Sequence, residues 1–116
     1  MKKQITIYHN PSCSKSRECL QWLESCDQEV QIIEYLKAMP SEDDLLKIID
    51  QLEGEVSSIV RTDEDDFKKA KFDTSDRKLV AKNLAKNPRL IQRPIVIVGK
   101  KAVIGRPLDA IKKIFE

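Results

Sequence analysis

The chain has 116 residues, which is enough for one domain and too few for two. Hydrophobic residues make up 41% of it and charged residues 34%, a balance that excludes a disordered chain and a membrane protein. The formal net charge of +2 gives no reason to expect nucleic acid or a membrane as a partner. We therefore expect one domain that spans residues 1–116.

The first residues and the cysteine count indicate the compartment and exclude a metal site. Met1 to Tyr8 has two lysines and then alternates like a strand, without the apolar stretch and cleavage site of a signal peptide. We therefore expect a cytoplasmic protein. Three cysteines, one histidine and no Cys-x-x-Cys pair argue against a zinc site and against structural disulfides.

The first half of the chain alternates strands and helices. Ile5 and Ile7 alternate with polar residues, which predicts a strand, and Cys19 and Leu23 recur at helical spacing. Ser41 can cap a second helix, because three acidic residues follow it at the positive end of the helix dipole. The predicted elements are a strand at 4–8, a helix at about 14–26, a strand at 29–35 and a helix at about 41–52.

The second half begins with a helical insert at about 55–88 and then returns to strands. Leu79, Val80 and Leu84 are expected to face inward on the last helix of the insert. The run from Pro94 to Val98 is continuously apolar, which predicts a central strand, and Gly99-Lys100 predicts a tight turn after it. The predicted elements are short helices at 57–61, 64–71 and 75–86, strands at 94–98 and 102–104, and a helix after Gly105.

The order of these elements predicts the fold class. A βα unit is repeated, a helical insert follows, and a ββα unit ends the chain. This order is typical of an α/β protein with the thioredoxin-like arrangement. We therefore expect a four-stranded mixed sheet flanked by helices, with the helical insert before the third strand.

Cys13 is the first candidate for chemistry, because it lies where the first strand ends and the first helix begins. Unpaired N–H groups and the helix dipole favour a thiolate there, and can lower a cysteine pKa from about 8.5 to roughly 3.5–7.5. Lys15 and Arg17 add positive charge, and Ser16 can donate a hydrogen bond to the sulfur. The alternative is a buried cysteine that only fills space. Cys19, deeper in the helix, is expected to be such an inert core thiol.

His9 and Asn10 precede this cysteine and belong to the same predicted loop. A protonated His9 imidazole can stabilise or position a thiolate, and an ordinary surface histidine is the alternative. Asn10 can shape the loop, and simple turn chemistry before Pro11 would explain it equally.

Three arginines at predicted element ends are the second signal. Arg61 follows a short helix, Arg93 precedes the central strand, and Arg106 begins the last helix. Together they would form an oxyanion site, since arginine stays charged and binds such anions with two parallel hydrogen bonds. A solvated surface residue is the alternative for each. Arg93-Pro94 is also a candidate cis peptide bond.

These motifs together resemble the glutaredoxin-linked arsenate reductase (ArsC) family, which includes the Spx regulators. The likeness runs nearly end to end, and Cys13-Ser-Lys-Ser-Arg17 is similar to the housekeeping branch of that family. The matching stretches are Ile5 to Arg17, Val60-Arg61, Arg93 to Val98 and Gly105 to Pro107.

The resemblance implies a thioredoxin-like fold and reduction of arsenate to arsenite, as in arsenic resistance. It implies glutathione as co-substrate and glutaredoxin as the partner that resolves the intermediate, with no bound cofactor and no metal. It assigns Cys13 as nucleophile, His9 and Ser16 as its assistants, and Arg61, Arg93, Arg106 and Asn10 as substrate-binding residues.

Two other functions stay open at this stage. One is a general glutathione-dependent thiol reductase that does not use arsenate physiologically. The other is an Spx-like regulator that binds RNA polymerase and has no catalytic activity. Ser16 stands where the Spx branch commonly has a second cysteine, which argues against a disulfide switch, and the three arginines favour an enzyme that acts on an anion.

Overall fold

A computed structural model describes residues 4–26, 29–105 and 108–114. Its strands are β1 (Gln4–His9), β2 (Glu29–Glu34), β3 (Ile95–Val98) and β4 (Lys101–Ile104). Its helices are α1 (Ser14–Ser25), α2 (Glu42–Gln51), α3 (Asp65–Lys69), α4 (Arg77–Lys86) and α5 (Leu108–Ile114), with short 3₁₀ helices at Val56–Ile59 and Pro88–Leu90. None of the helices in these ranges is long and apolar enough to cross a membrane.

The strands form one mixed sheet in the order β2-β1-β3-β4. β1 pairs with β2 in parallel, whereas β3 is antiparallel to both β1 and β4. The predicted four-stranded mixed sheet is therefore confirmed, with β3 inside it as expected. The register places the carboxyl ends of β1 and β2 beside the amino end of β3, so the residues next to these three ends share one edge of the sheet.

The two faces of the sheet have separate hydrophobic cores, because successive strand side chains point to opposite faces. On one face, Ile5 and Ile7 pack with Cys19 and Leu23 of α1 and with Ile111 of α5, and all five are completely buried. The other face carries the larger cluster. It includes Leu45, Ile49, Val80, Leu84 and Ile95.

The helices begin in different ways. Ser41 and Asp44 form a reciprocal capping box at the start of α2, as the sequence predicts for Ser41. Asp76 caps α4 by accepting hydrogen bonds from two backbone N–H groups. The N-cap residue of α1 is Cys13, whose side chain accepts no capping hydrogen bond. The start of α1 therefore differs from the starts of α2 and α4, which lie on the other face of the sheet and are capped by side chains.

The prediction that Leu79 faces inward is wrong, because its side chain is 39% exposed. Val80, Ala81 and Leu84 are buried and define the inner face of α4. Leu79 is displaced from Val80 by about 100° around the helix, which turns it toward solvent. The second strand ends at Glu34, one residue earlier than predicted, so Tyr35 lies just beyond the sheet.

Candidate active site

The segment between β1 and α1 is shaped by its own hydrogen bonds. The Cys13 N–H donates to the Asn10 carbonyl at 3.0 Å, and the Ser12 N–H donates to the Asn10 side-chain oxygen at 3.0 Å. The Arg17 guanidinium donates to the Pro11 carbonyl at 3.0 Å. These bonds fix the turn on both sides, so Cys13 has a defined place at the start of α1.

Cys13 has extended backbone angles as the N-cap of α1, and it is only 8% exposed. The first N–H groups of an α-helix have no partner inside the helix, and they carry the positive end of its dipole. Since the Cys13 side chain does not cap them, these donors can bind an anion in front of the sulfur. The position suits a thiolate nucleophile and the anion that it would attack.

His9 and Ser16 form a buried pair beneath this turn, and within the described ranges they are the buried polar residues. The His9 Nδ1 and the Ser16 Oγ are 2.6 Å apart, and the Asn10 N–H donates to the same hydroxyl at 3.0 Å. Burial lowers the pKa of His9, with Arg17 acting in the same direction against the carboxylates of Glu34 and Glu24. The neutral imidazole is therefore favoured, and His9 acts on the turn through its hydrogen bond to Ser16.

Arg93 holds the donors that most need a ligand. It precedes β3 through a cis peptide bond to Pro94, at the sheet edge where β1 ends. The Nε and Nη1 atoms of its guanidinium are buried and have no hydrogen-bond partner in the described part of the chain. Such buried donors are costly unless something accepts from them. A bound anion would satisfy both.

Arg61 is placed by a bridge between Val60 and Ile91. Its guanidinium has partners among the described residues, in contrast to the Nε and Nη1 atoms of Arg93. Its Nη2 lies 3.2 Å from the Glu64 carboxylate, and its Nη1 donates to the Arg89 carbonyl at 3.2 Å. Arg61 can therefore take part in anion binding only by exchanging some of these contacts.

Tyr35 is the site residue that the sequence analysis missed. It is 2% exposed, and it leaves β2 beside Asn10, because His9 pairs with Glu34 in the parallel register. Burial raises the pKa of Tyr35, the positive charges of Arg93 and Arg61 lower it, and a Cys13 thiolate raises it further. The register of the sheet therefore places the buried Tyr35 next to Asn10, in the turn that leads to Cys13. The signal in the sequence was the parallel pairing of the first two strands, which places Tyr35 beside Asn10.

The sequence also singled out Arg106 and Cys19. Arg106 lies outside the described residues. Cys19 is completely buried, and burial raises the pKa of its thiol to about 12, which suits an inert core residue. Within the residues that the structure describes, no group of three or more His, Cys, Asp or Glu side chains could hold a metal ion.

Comparison with known proteins identifies the family. The model of the ArsC family matches residues 8–114, which is most of the chain. The chain belongs to the ArsC family. An arsenate reductase of Haemophilus influenzae is 38% identical over 95% of this chain and 97% of its own. The uncharacterised protein YfgD of Escherichia coli is 37% identical over 98% of each chain.

The ArsC fold is equally clear from solved structures. An arsenate reductase from Vibrio cholerae superimposes with a TM-score of 0.84 and 34% identity, over 97% of this chain and 98% of that one. The thioredoxin-like fold predicted from the sequence is therefore confirmed. These similarities support an enzyme of the ArsC family.

Proposed function

We propose that this protein reduces arsenate to arsenite, with Cys13 as the nucleophile and with glutathione and glutaredoxin as the source of electrons. The observation that carries the proposal is that two buried Arg93 donor atoms have no hydrogen-bond partner among the described residues, at the sheet edge where β1 ends and the turn to Cys13 begins. An oxyanion in front of the sulfur would satisfy these donors. The family likeness to arsenate reductases supports arsenate as that oxyanion.

The first step joins Cys13 to the substrate. The Cys13 thiolate attacks arsenic, an As–S bond forms and one As–O bond breaks. The oxygen leaves as water with the proton that Cys13 has lost and a proton of the substrate. Arsenate is negatively charged, so a thiolate approaches it against repulsion. Arg93 and the first N–H groups of α1 offset that repulsion and stabilise the charge on the adduct, which is the main way that such sites accelerate reactions.

The later steps take electrons from thiols. Glutathione replaces a second arsenic-bound oxygen, which leaves as water, and its sulfur then lies on the same arsenic as the Cys13 sulfur. A glutaredoxin thiolate attacks the glutathione sulfur, an S–S bond forms between them and the bond from that sulfur to arsenic breaks. Its electron pair stays on arsenic, which becomes As(III), and glutathione leaves as a mixed disulfide with glutaredoxin. Hydrolysis of the remaining As–S bond releases arsenite and restores the Cys13 thiol. This sequence requires one nucleophilic cysteine in this chain, which agrees with the burial of Cys19.

A coupled assay tests the proposal. The purified protein is mixed with arsenate, glutathione, glutaredoxin, glutathione reductase and NADPH, and NADPH oxidation is followed with and without arsenate. We expect arsenate-dependent oxidation that requires glutaredoxin and that the Cys13→Ser variant lacks. The Cys19→Ser variant is the matched control, because it changes another cysteine of α1, and it should keep most of the activity.

Two results would contradict the proposal. The first is a folded wild-type protein that gives no arsenate-dependent oxidation of NADPH. The second is loss of activity in a folded Cys19→Ser variant, which would require a second reacting thiol within the chain. Reduction of a glutathione mixed disulfide at equal rates with and without arsenate would instead favour the general thiol reductase.

A further inference from the structure

Arg61 and Arg89 are brought together by a short antiparallel contact outside the sheet. Val60 and Ile91 form a bridge there, and the Arg61 N–H donates to the Leu90 carbonyl at 2.8 Å. The Arg61 Nη1 donates to the Arg89 carbonyl at 3.2 Å. These acceptors belong to the backbone, so the two arginines stay neighbours whatever side chain is present at position 89.

The carboxylate of Glu64 lies between the two guanidinium groups. Its Oε2 is 3.2 Å from the Arg61 Nη2, and its Oε1 is 3.4 Å from the Arg89 Nη2. The side chains of Glu64 and Arg61 are 18% and 21% exposed, whereas that of Arg89 is 66% exposed. Arg89 therefore contacts the more buried Glu64–Arg61 pair from the solvent side.

An anion that attracts Arg61 away from Glu64 leaves a partly buried carboxylate without that cation. Such a carboxylate is costly unless another positive group pairs with it, so Glu64 opposes the movement of Arg61. Arg89 reduces this cost, because it stays on the other carboxylate oxygen. Its charge also offsets the repulsion between Glu64 and an approaching anion.

We propose that Arg89 is a positioning residue that makes Arg61 available to the bound anion, because it holds Glu64 when Arg61 turns toward the substrate. The inference rests on the oxyanion site of the proposed function, in which Arg61 is a ligand. It does not depend on whether the bound anion is then reduced. Arg89 acts through Glu64 and does not itself contact the anion.

Asp66 is the other carboxylate near Arg89 in the described part of the chain, and its contact is weaker. The Arg89 Nη1 lies 4.0 Å from Asp66, compared with 3.4 Å between Arg89 and Glu64. The Asp66 carboxylate also accepts a hydrogen bond from the Asn87 side chain at 2.9 Å. Glu64 is therefore the carboxylate through which Arg89 should act, and Asp66 provides a control for this choice.

The experiment measures anion binding without turnover. Alkylation of Cys13 by iodoacetamide is followed by mass spectrometry at increasing arsenate, and separately at increasing phosphate, with no reductant present. The anion concentration that halves the rate is compared among wild type, Arg89→Gln and Arg77→Gln. Arg77→Gln is the matched control, because it removes the same charge from an exposed arginine that pairs with Asp50 at the start of α4.

We expect Arg89→Gln to raise the half-protection concentration by about two- to fivefold, the range expected for an ion pair that is partly exposed. Arg77→Gln should leave it unchanged. Arg89→Lys keeps a positive charge beside Glu64 and should restore the wild-type value. An equal rise in Arg89→Gln and Arg77→Gln would show that net charge attracts the anion, and would overturn the proposal.

The same change in a Glu64→Gln background tests whether Arg89 acts through the carboxylate. With that charge removed, Arg89→Gln should leave the half-protection concentration unchanged. In an Asp66→Asn background, Arg89→Gln should still raise it by about two- to fivefold. A full rise in the Glu64→Gln background would contradict a role that depends on Glu64.

The result for Arg89 can be separated from the result for the proposed function. The expected rise in Arg89→Gln, together with no arsenate reduction by wild type, would support Arg89 and overturn the proposed function. An unchanged value in Arg89→Gln, together with arsenate reduction by wild type, would overturn the role of Arg89 alone. No protection of the wild type by either anion would overturn both.

Discussion

Arg93 and Arg61 are the same residue type, and the positive charge of each lowers the pKa of the buried Tyr35, yet their surroundings differ. Arg93 has two buried donor atoms without a partner in the described part of the chain. Arg61 is partly exposed, and its guanidinium contacts the Glu64 carboxylate and the Arg89 carbonyl. Two Arg93 donors could therefore bind a ligand directly, whereas Arg61 would first have to give up protein contacts.

In the proposed anion site, the two arginines would therefore contribute unequally to binding. The two buried Arg93 donors have lost water and have no acceptor among the described residues, so a ligand that accepts from them would recover a large part of that cost. Arg61 gives up protein contacts when it turns toward a ligand, so its net contribution is smaller. Arg93 should therefore dominate binding, and Glu64 should reduce what Arg61 adds.

Arg93→Lys tests whether Arg93 contributes more to anion binding than Arg61, and we expect the largest effect from it. Lysine keeps the charge but loses the planar pair of donors. We expect kcat/KM with arsenate to fall by about a hundredfold or more, as when one preorganised donor is lost from other active sites. Steady-state kinetics in the coupled assay measure it.

Arg61→Lys is the matched control for this change, and it should lower kcat/KM only about tenfold, because protein contacts already take part of the Arg61 donor capacity. Equal losses in the two variants would contradict the comparison. A larger loss in Arg61→Lys would reverse the order of the two arginines.

Glu64→Gln tests whether the contact with Glu64 limits the contribution of Arg61. The amide removes the negative charge that pairs with Arg61, so the guanidinium is released for the substrate. We expect the KM for arsenate to fall by about two- to fivefold, since partly exposed ion pairs contribute roughly 0–1 kcal/mol. Asp63→Asn, which removes the same charge from the neighbouring exposed residue, is the control. An equal effect of Asp63→Asn would show that net charge, and not release of Arg61, lowers the KM.

The smallest effect is expected at His9, a buried polar residue that, like Arg61, already has its partner. Burial lowers the pKa of His9 below its ordinary 6.5, so the unfolded chain binds more protons than the folded one as the pH falls through that range. The free energy of unfolding should therefore decrease as the pH falls below about 6.5. Urea denaturation between pH 5 and pH 8 should show this slope in wild type and not in His9→Gln, and identical slopes would contradict the lowered pKa.

Much of the fold was predictable, because the signals are local. The alternation in β1, the apolar run of β3 and the capping serine of α2 each belong to neighbouring residues, and all three lie where they were predicted. The prediction that Leu79 faces inward was wrong, because one position around a helix decides whether a side chain is buried. The sequence pattern of α4 allows Leu79 to face either the core or solvent.

The site was less predictable, because its contacts join distant parts of the chain. Cys13 could be singled out by its place between a strand and a helix. The contact of Arg61 with Arg89 spans 28 residues, and the position of Tyr35 beside Asn10 depends on the register of two strands. The spacing of apolar residues predicts where helices and strands lie. It does not predict the register between strands, which decides which polar side chains contact each other.

Helix α1 also contains a thiol whose reactivity would report how often the helix opens. The Cys19 sulfur is completely buried, and it lies so near Gly105 that a side chain there would touch it. With a pKa of about 12 and no solvent contact, this thiol can react only when α1 separates from the sheet. Its alkylation rate, compared with that of an unfolded chain, would measure how often the helix opens. One labelling experiment can thus measure two processes. The alkylation rate of Cys19 reports local opening of the core, and the alkylation rate of Cys13, at the start of the same helix, reports the binding of an anion.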